Sequence, residues 1–251
     1  ASVRSRKNFN NHVGLPLSIL DIESHHEAAI LEMGASRPGE IRDLASVARP
    51  DIGVITKVGS AHLEGFVSDD GVLAEKLALI ESLPSDGLAV LPGDDFRVRD
   101  AVGPVTCRKS FFGETPDCDV LATHIEVTHD RLRFRVGNIE FTLPVAGRHF
   151  LTSALAAIAV AREFGISDTT TRQRLSSFEA ISGRCSIECV GTWTVIDDSY
   201  NASPDSMAAA CDLLRGWKGQ GRRVFVAGDM LELGEASDQL HCDLGRAIAE
   251  S

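Results

Sequence analysis

Short apolar runs that end in a glycine or an acid, each followed by a stretch of helical spacing, narrow most what this chain can fold into. "AAILEMG" (28–34) is one such run, and "PGEIRDLASVA" after it sets Ile41, Leu44, Ala45 and Ala48 on one helical face. "DIGVITKV" (51–58) reads as the next strand. "DDGVLAEKLALIESL" (69–83) reads as a helix with acids in its first turn, where the helix dipole favours them. "GLAVL" (87–91) is a further strand. Strands alternating with helices specify an α/β fold built on a parallel, twisted sheet. From 119 to 145 the period changes to two, with turn residues at His129-Asp130 and Gly137-Asn138, so an antiparallel meander is expected there. Two helices follow over 149–165 and 167–178, the second capped by Ser167 or Asp168. After Gly183 a fresh β-α-β-α pattern begins. Two strands flank Gly191, a helix opens with Ser203 as N-cap and Pro204 at its first position, "RRVFVAGDM" reads as a strand, and 237–250 as a helix. Two domains are therefore expected, 1–185 with a central parallel sheet and 186–251 as the start of a Rossmann-like α/β unit.

Composition sets the outer limits. The chain has 251 residues, 43% hydrophobic and 24% charged, enough for a packed core. Its net charge of −11, with no basic stripe, argues against a nucleic-acid partner. No apolar run is long enough for a membrane span, and no signal peptide opens the chain, so a cytoplasmic protein without membrane insertion is expected. Six scattered cysteines without a C-x-x-C pair argue against a disulfide framework or a zinc site and for reduced thiols, mostly in the core. Both ends look cut: the chain starts at Ala1 and stops within a helical pattern, as a fragment of a longer protein would.

Several expected strand ends carry polar residues: Glu32, His62, Asp197 with Asp198, and Asp229. In a parallel sheet such ends share one edge, where ligands bind. Carboxylate with imidazole suits a hard divalent cation whose other positions are filled by phosphate. The competing reading is helix capping by Asp198 and Asp229 and an ordinary loop role for His62. Lys76 sits at the edge of the stripe Leu73, Leu77 and Ile80. A lysine there either snorkels to water or presents a desolvated amine. Arg148 and Arg184 lie near turns, where each is a surface cation or a group that faces a phosphate.

Five stretches occur in one order: "NFNNHVGLPLSIL", "ILEMGASRPGEI", "VGSAHLEGF", "IDDSYNASPDSM" and "AGDMLELGEAS". Together they resemble the Mur ligases, and among them the members that join D-alanyl-D-alanine to UDP-N-acetylmuramoyl-tripeptide. The resemblance covers nearly the whole chain from Asn8 onward. It implies an ATP-dependent amide ligase of peptidoglycan precursor synthesis, working through an acyl phosphate, with ATP and Mg2+ required and a monomer expected. It assigns Glu32, His62 and a carbamylated Lys76 to magnesium, and Arg184 to the γ-phosphate. Asp198 falls to the ribose, Tyr200, Asn201 and His149 to the nucleotide, and Asn10 and Asn11 to the loop facing the phosphates and the tripeptide. Catalysis falls to Lys76, His62 and Arg184. The family's phosphate loop ending in Gly-Lys-Thr or Gly-Lys-Ser is absent from the chain and would lie upstream of Ala1, as would the UDP-binding domain. Phe150 and Ser153 stand where the family commonly has two asparagines, the second of which reads adenine. Other ligases of the superfamily, such as folylpolyglutamate or cyanophycin synthetases, and a non-catalytic nucleotide-binding module remain as alternatives.

Overall fold

A computed structural model of the chain describes residues 1–59, 63–66, 68–218 and 221–251. The first strand, β1 (Ser2–Arg4), has no strong sequence signal. It pairs in parallel with β2 (Ala28–Ile30), Val3 opposite Ala29, and α1 (Gly14–Leu20) lies between them in the chain. Then come α2 (Glu40–Ala48), β3 (Ile52–Val54), the short α3 (Leu63–Phe66), α4 (Asp69–Glu81), β4 (Leu88–Pro92), α5 (Phe96–Ala101) and β5 (Arg108–Gly113). The meander is β6 (Val120–Val127), β7 (Leu132–Val136) and β8 (Ile139–Leu143), followed by α6 (Phe150–Glu163) and α7 (Asp168–Ser176). The rest is β9 (Ser186–Val190), β10 (Trp193–Asp197), α8 (Pro204–Gly216) and α9 (Ser237–Ala249).

The meander is one sheet with the parallel strands. Strand order is β3-β4-β5-β6-β7-β8, parallel through β6 and antiparallel beyond it. Val136 and Ile139 are register partners, so Gly137-Asn138 forms a two-residue turn, with Gly137 at φ +57°. A register shift in β6 between Thr123 and Glu126 brackets His124, which has φ +51°.

β4 shows why its sequence is an unbroken apolar run. All five of its residues are buried, because the sheet is covered on both faces. Leu88 and Val90 point into the core under α6, with Phe112, Phe134, Phe141, Leu155 and Ile158. Ala89 and Leu91 point the other way, into the core under α4 and α5, with Val72, Ile80 and Val98. A third cluster joins Leu15 of α1, Ile41 and Leu44 of α2, and Ala78 of α4. A small fourth core, Met207, Met230 and Leu233, belongs to the C-terminal part.

That part departs from expectation at one point. "RRVFVAGDM" forms no ladder among the described residues, and β9 pairs only with β10, antiparallel, around Gly191 at φ +60°. Strand propensity needs a neighbour to supply hydrogen bonds, and no strand pairs with this segment among the described residues; Val226 is 90% exposed. α8 forms as expected: Ser203 Oγ accepts from Ser206 N, Ser206 reciprocates as a capping box, and Pro204 opens the helix. Ser167 likewise caps α7, through Thr170 N. All six cysteines are free, and Cys107, Cys118, Cys185 and Cys211 are buried. No helix among the described residues is long and apolar enough to cross a membrane.

Candidate active site

The chain leaves β2 and turns at once. Glu32 N donates to Ser5 Oγ at 3.0 Å, which ties the turn to the end of β1. The exposed Glu32 carboxylate accepts from Asn10 Nδ2 at 2.9 Å. Asn10 is fixed in turn, since its carbonyl accepts from Gly34 N at 2.8 Å. A Cβ at Gly34 would stand 2.8 Å from Asn10 Nδ2, so glycine leaves the Asn10 side chain the room it needs to reach Glu32. Asn11 has a structural task. Its Oδ1 accepts from Val13 N and Gly14 N at 3.1 and 2.9 Å and caps the start of α1.

α4 begins under a Ser68 cap, with Asp69 and Asp70 in its first turn. Its buried residues are Val72, Glu75, Ala78 and Ile80, while Leu73 and Leu77 are only partly buried. The helix is thus covered on more than one side, and Lys76 lies deeper than the edge of a single stripe. No hydrogen bond or ion pair reaches its amine among the described residues. Burial holds this amine below the ordinary lysine range. Glu75, which the sequence did not single out, is 6% exposed and accepts from Gly39 N at 2.7 Å and Ile41 N at 2.6 Å.

A second cluster forms between α7 and α8. Gly183, at φ +78°, accepts from Tyr200 N at 3.0 Å, and its own N–H donates to Asp197 Oδ2 at 3.1 Å. Asp197 also accepts from the Ser199 hydroxyl and N–H, which hold its carboxyl below the usual range. Asp198 Oδ1 accepts from Cys185 N at 3.1 Å. Burial, with Asp198 adding to it, pushes the Cys185 thiol up to about 12. The Arg184 guanidinium lies over the Tyr200 ring, 4.1 Å from its centroid. Asn201 Oδ1 accepts from Ala202 N. His149, at the start of α6, packs against Phe150 with ring centroids 4.4 Å apart. Desolvation lowers its basicity, opposed by the charge of Asp198.

Two expectations need correction. Asp197 and Asp198 end a strand of the separate β9–β10 hairpin, and Asp229 ends no strand, so these residues do not share an edge with Glu32 by sheet geometry. Nor is Asp198 a helix cap, since Ser203 caps α8. The other arginine, Arg148, pairs with Glu114 at 2.5 Å. His62 lies outside the described residues. Among the described residues no three His, Cys, Asp or Glu side chains converge as a metal cage. A cavity of about 550 Å³ opens at the ends of β3, β4 and β5, lined by Lys57, Asp94, Asp95, Arg97, Glu114 and Thr152 among others. None of the expected site residues lines it. The C-terminal part touches the rest at nearby points: Lys57 Nζ lies 2.9 Å from Asp205 Oδ1, and Glu64 N donates to Glu232 O at 3.1 Å.

Two family models match the chain, the Mur ligase middle domain over residues 1–161 and the Mur ligase glutamate ligase domain over residues 183–251. The chain belongs to the Mur ligase family. Among Mur ligases it is similar to the UDP-N-acetylmuramoyl-tripeptide–D-alanyl-D-alanine ligases of Bacillus subtilis, at 36% identity, and Escherichia coli, at 34%. Each comparison takes in 96% of this chain but 53% and 54% of the relative. Two solved Mur ligases have the same fold. MurF from Acinetobacter baumannii superposes with a TM-score of 0.92 at 33% identity, over 100% of this chain and 55% of that one. MurF from Thermotoga maritima, in complex with ADP, gives 0.87 at 31% identity, over 99% and 58%. The chain therefore spans about half the length of the relatives it matches.

Proposed function

We propose that the protein carrying this chain is a cytoplasmic, monomeric, ATP-dependent amide ligase that joins D-alanyl-D-alanine to UDP-N-acetylmuramoyl-tripeptide, and that residues 1–185 and 186–251 are parts of its central and C-terminal domains. The observation that carries this reading is Lys76: an amine held partly buried on α4, without a hydrogen-bond or ion-pair partner among the described residues. An ammonium gains nothing from such a place, whereas a lysine converted to a carbamate becomes an anion suited to a cation.

The chemistry is difficult because an anionic carboxylate must approach an anionic phosphate. Its attack on the γ-phosphorus of ATP breaks the bond to the bridging oxygen, giving an acyl phosphate and ADP. The amine of D-alanyl-D-alanine then attacks the acyl carbon, inorganic phosphate leaves, and the amine loses a proton. Magnesium uses oxygen ligands, keeps several waters and takes the rest of its shell from substrate phosphates, so a site with few protein ligands fits it. Glu32, exposed and oriented by Asn10, offers such an oxygen. Glu32, His62 and carbamylated Lys76 would hold the ion, which supplies positive charge against the phosphate oxygens.

Arg184 adds a fixed positive charge where the phosphoryl group moves. Its stacking on Tyr200 keeps the guanidinium extended rather than free to wander. Asp198, oriented by Cys185 N–H, accepts from the ribose hydroxyls. Tyr200, Asn201 and His149 flank the nucleotide. Asn10 links the metal-binding carboxylate to the phosphate-facing loop, and Asn11 keeps that loop in place through its cap on α1. Phe150 packs against Phe178, ring centroids 6.2 Å apart, and so is committed to the core. Adenine recognition then falls to His149 and the exposed Ser153.

The test is ADP formation by the intact protein with both substrates present, and trapping of the acyl phosphate by hydroxylamine. ADP release that ignores the tripeptide, or turnover of Lys76→Ala at the wild-type rate, would overturn the reading.

A further inference from the structure

Glu75 is a buried carboxylate that no step above uses. It lies one residue before Lys76 on α4, and its two oxygens accept from Gly39 N and Ile41 N, residues 36 and 34 positions away in the chain. Helix α2 starts at Glu40, and its own N-cap, Gly39, has no side chain to close it. Glu75 supplies the cap from another helix, and its charge meets the positive end of the α2 dipole. Two short charge-assisted bonds offset the cost of taking a carboxylate out of water.

What matters is what lies at each end of this grip. Gly39 and Ile41 close the segment that starts at Glu32. That segment is braced along its length. Glu40 Oε2 accepts from Ser36 N and Arg37 N at 2.7 and 3.0 Å. The Ser36 carbonyl lies against Gly65 of α3 so closely that no Cβ fits there. At the other end, Lys76 follows Glu75 directly, so whatever fixes α4 at Glu75 also fixes the root of the Lys76 side chain. Ile41 and Ala78, which share one apolar cluster, and the exposed Arg42–Glu81 pair at 3.2 Å join the same two helices at other points.

We propose that Glu75 is a positioning residue, whose carboxylate locks α4 to the loop after Glu32 so that Glu32 and Lys76 are held at one separation for a shared divalent cation. The proposal rests on the ligase reading for the roles of Glu32 and Lys76. A simple helix cap would stabilise the fold and leave cation affinity alone, and this separates the two roles.

The experiment uses the intact protein, with Mn2+ as the probe, followed by EPR as the loss of free-ion signal that the protein causes beyond that caused by ADP and bicarbonate alone. Glu75→Gln keeps the shape and one acceptor oxygen but removes the charge. Glu75→Asp keeps the charge and draws it back by one methylene. The expected result is cooperative melting of both variants and Mn2+ affinity weakened about tenfold or more in Glu75→Asp, the range seen when a group that orients a metal ligand is changed. ADP affinity without metal should not move. Mn2+ affinity at the wild-type value in Glu75→Asp overturns the proposal, whatever happens to Tm. So does failure of both to fold, because the carboxylate is then required for the fold rather than for the metal. If instead wild type binds no Mn2+, or Lys76→Ala binds it as wild type does, the ligase reading of the metal residues fails, independently of Glu75.

Discussion

Lys76→Met should make the metal-free protein more stable while abolishing its turnover. The amine is partly buried and has no hydrogen-bond or ion-pair partner among the described residues. A polar group taken from water without a partner costs about 1–3 kcal/mol in proteins. Lys76 keeps some contact with solvent, so the lower part of that range applies, about 1–2 kcal/mol. Methionine keeps the unbranched stem and its packing with little change in volume. For a domain of about 150–250 residues each kcal/mol moves Tm by about 2–4 °C, so a rise of roughly 2–8 °C is expected in the transition of the domain that holds α4. The pH dependence has a definite sign. Burial lowers the folded-state pKa of Lys76 below 10.5, so between that lowered value and 10.5 the unfolded chain binds more protons than the folded one. Wild-type stability therefore gains with rising pH across that window. The advantage of the methionine variant is full below it and fades as pH passes through it. The assay is thermal unfolding of the intact protein in bicarbonate-free, metal-free buffer from neutral to alkaline pH. Adding bicarbonate with Mg2+ should then raise Tm in wild type and not in the variant. A methionine variant less stable than wild type at neutral pH, or an advantage that does not shrink with pH, refutes the reasoning.

Gly59→Ala should destabilise by about 1 kcal/mol or less, because the Asp205 carboxylate that a Cβ there would meet ends an exposed side chain, which can turn away and give up its pair with Lys57. The Gly59→Ala/Asp205→Ala double variant should lose no more than either single variant, since both act through the exposed Lys57–Asp205 pair, worth about 1 kcal/mol or less; strictly additive Tm shifts would refute the contact. Gly34→Ala should displace Asn10 from Glu32 with little change in Tm, while the Mg2+ concentration for half-maximal activity rises; an unchanged Mg2+ requirement would show that Asn10 does not orient Glu32. Cys185, its thiol pushed up to about 12, should resist iodoacetamide in the native protein near pH 8 and react after unfolding, as mass spectrometry of the labelled peptides would show. Rapid native labelling of Cys185 would contradict its burial between Gly183 and Asp198.

Features set by a few neighbouring residues were legible in the sequence. Ser203 followed by Pro204 starts α8, Ser167 starts α7, and Gly137-Asn138 turns the meander, because caps and tight turns use only adjacent groups. Lys76 was legible as an anomaly, a cation beside an apolar stripe. Glu75 was not, since its partners Gly39 and Ile41 become neighbours only when α2 meets α4. The segment "RRVFVAGDM" shows the opposite failure: its residues favour a strand, but a ladder depends on a second strand that local pattern cannot supply. Asp198 was picked out by its place at a strand end, yet the structure uses that strand in a hairpin and ties the carboxylate to Cys185 N. The parallel sheet was legible from the alternation of elements; its fusion with the meander through β5 and β6 was not, because parallel pairing leaves no mark at a turn.

α4 belongs to two cores at once. Val72 and Ile80 reach the cluster beneath the sheet, Ala78 reaches the cluster shared with α1 and α2, and Leu79 packs against both. Neither cluster can open without freeing one side of this helix, and with it the surroundings that partly bury the Lys76 amine. The lowered basicity of that amine is thus a property of two packed regions acting jointly, and a loosening in either would return Lys76 toward an ordinary surface lysine.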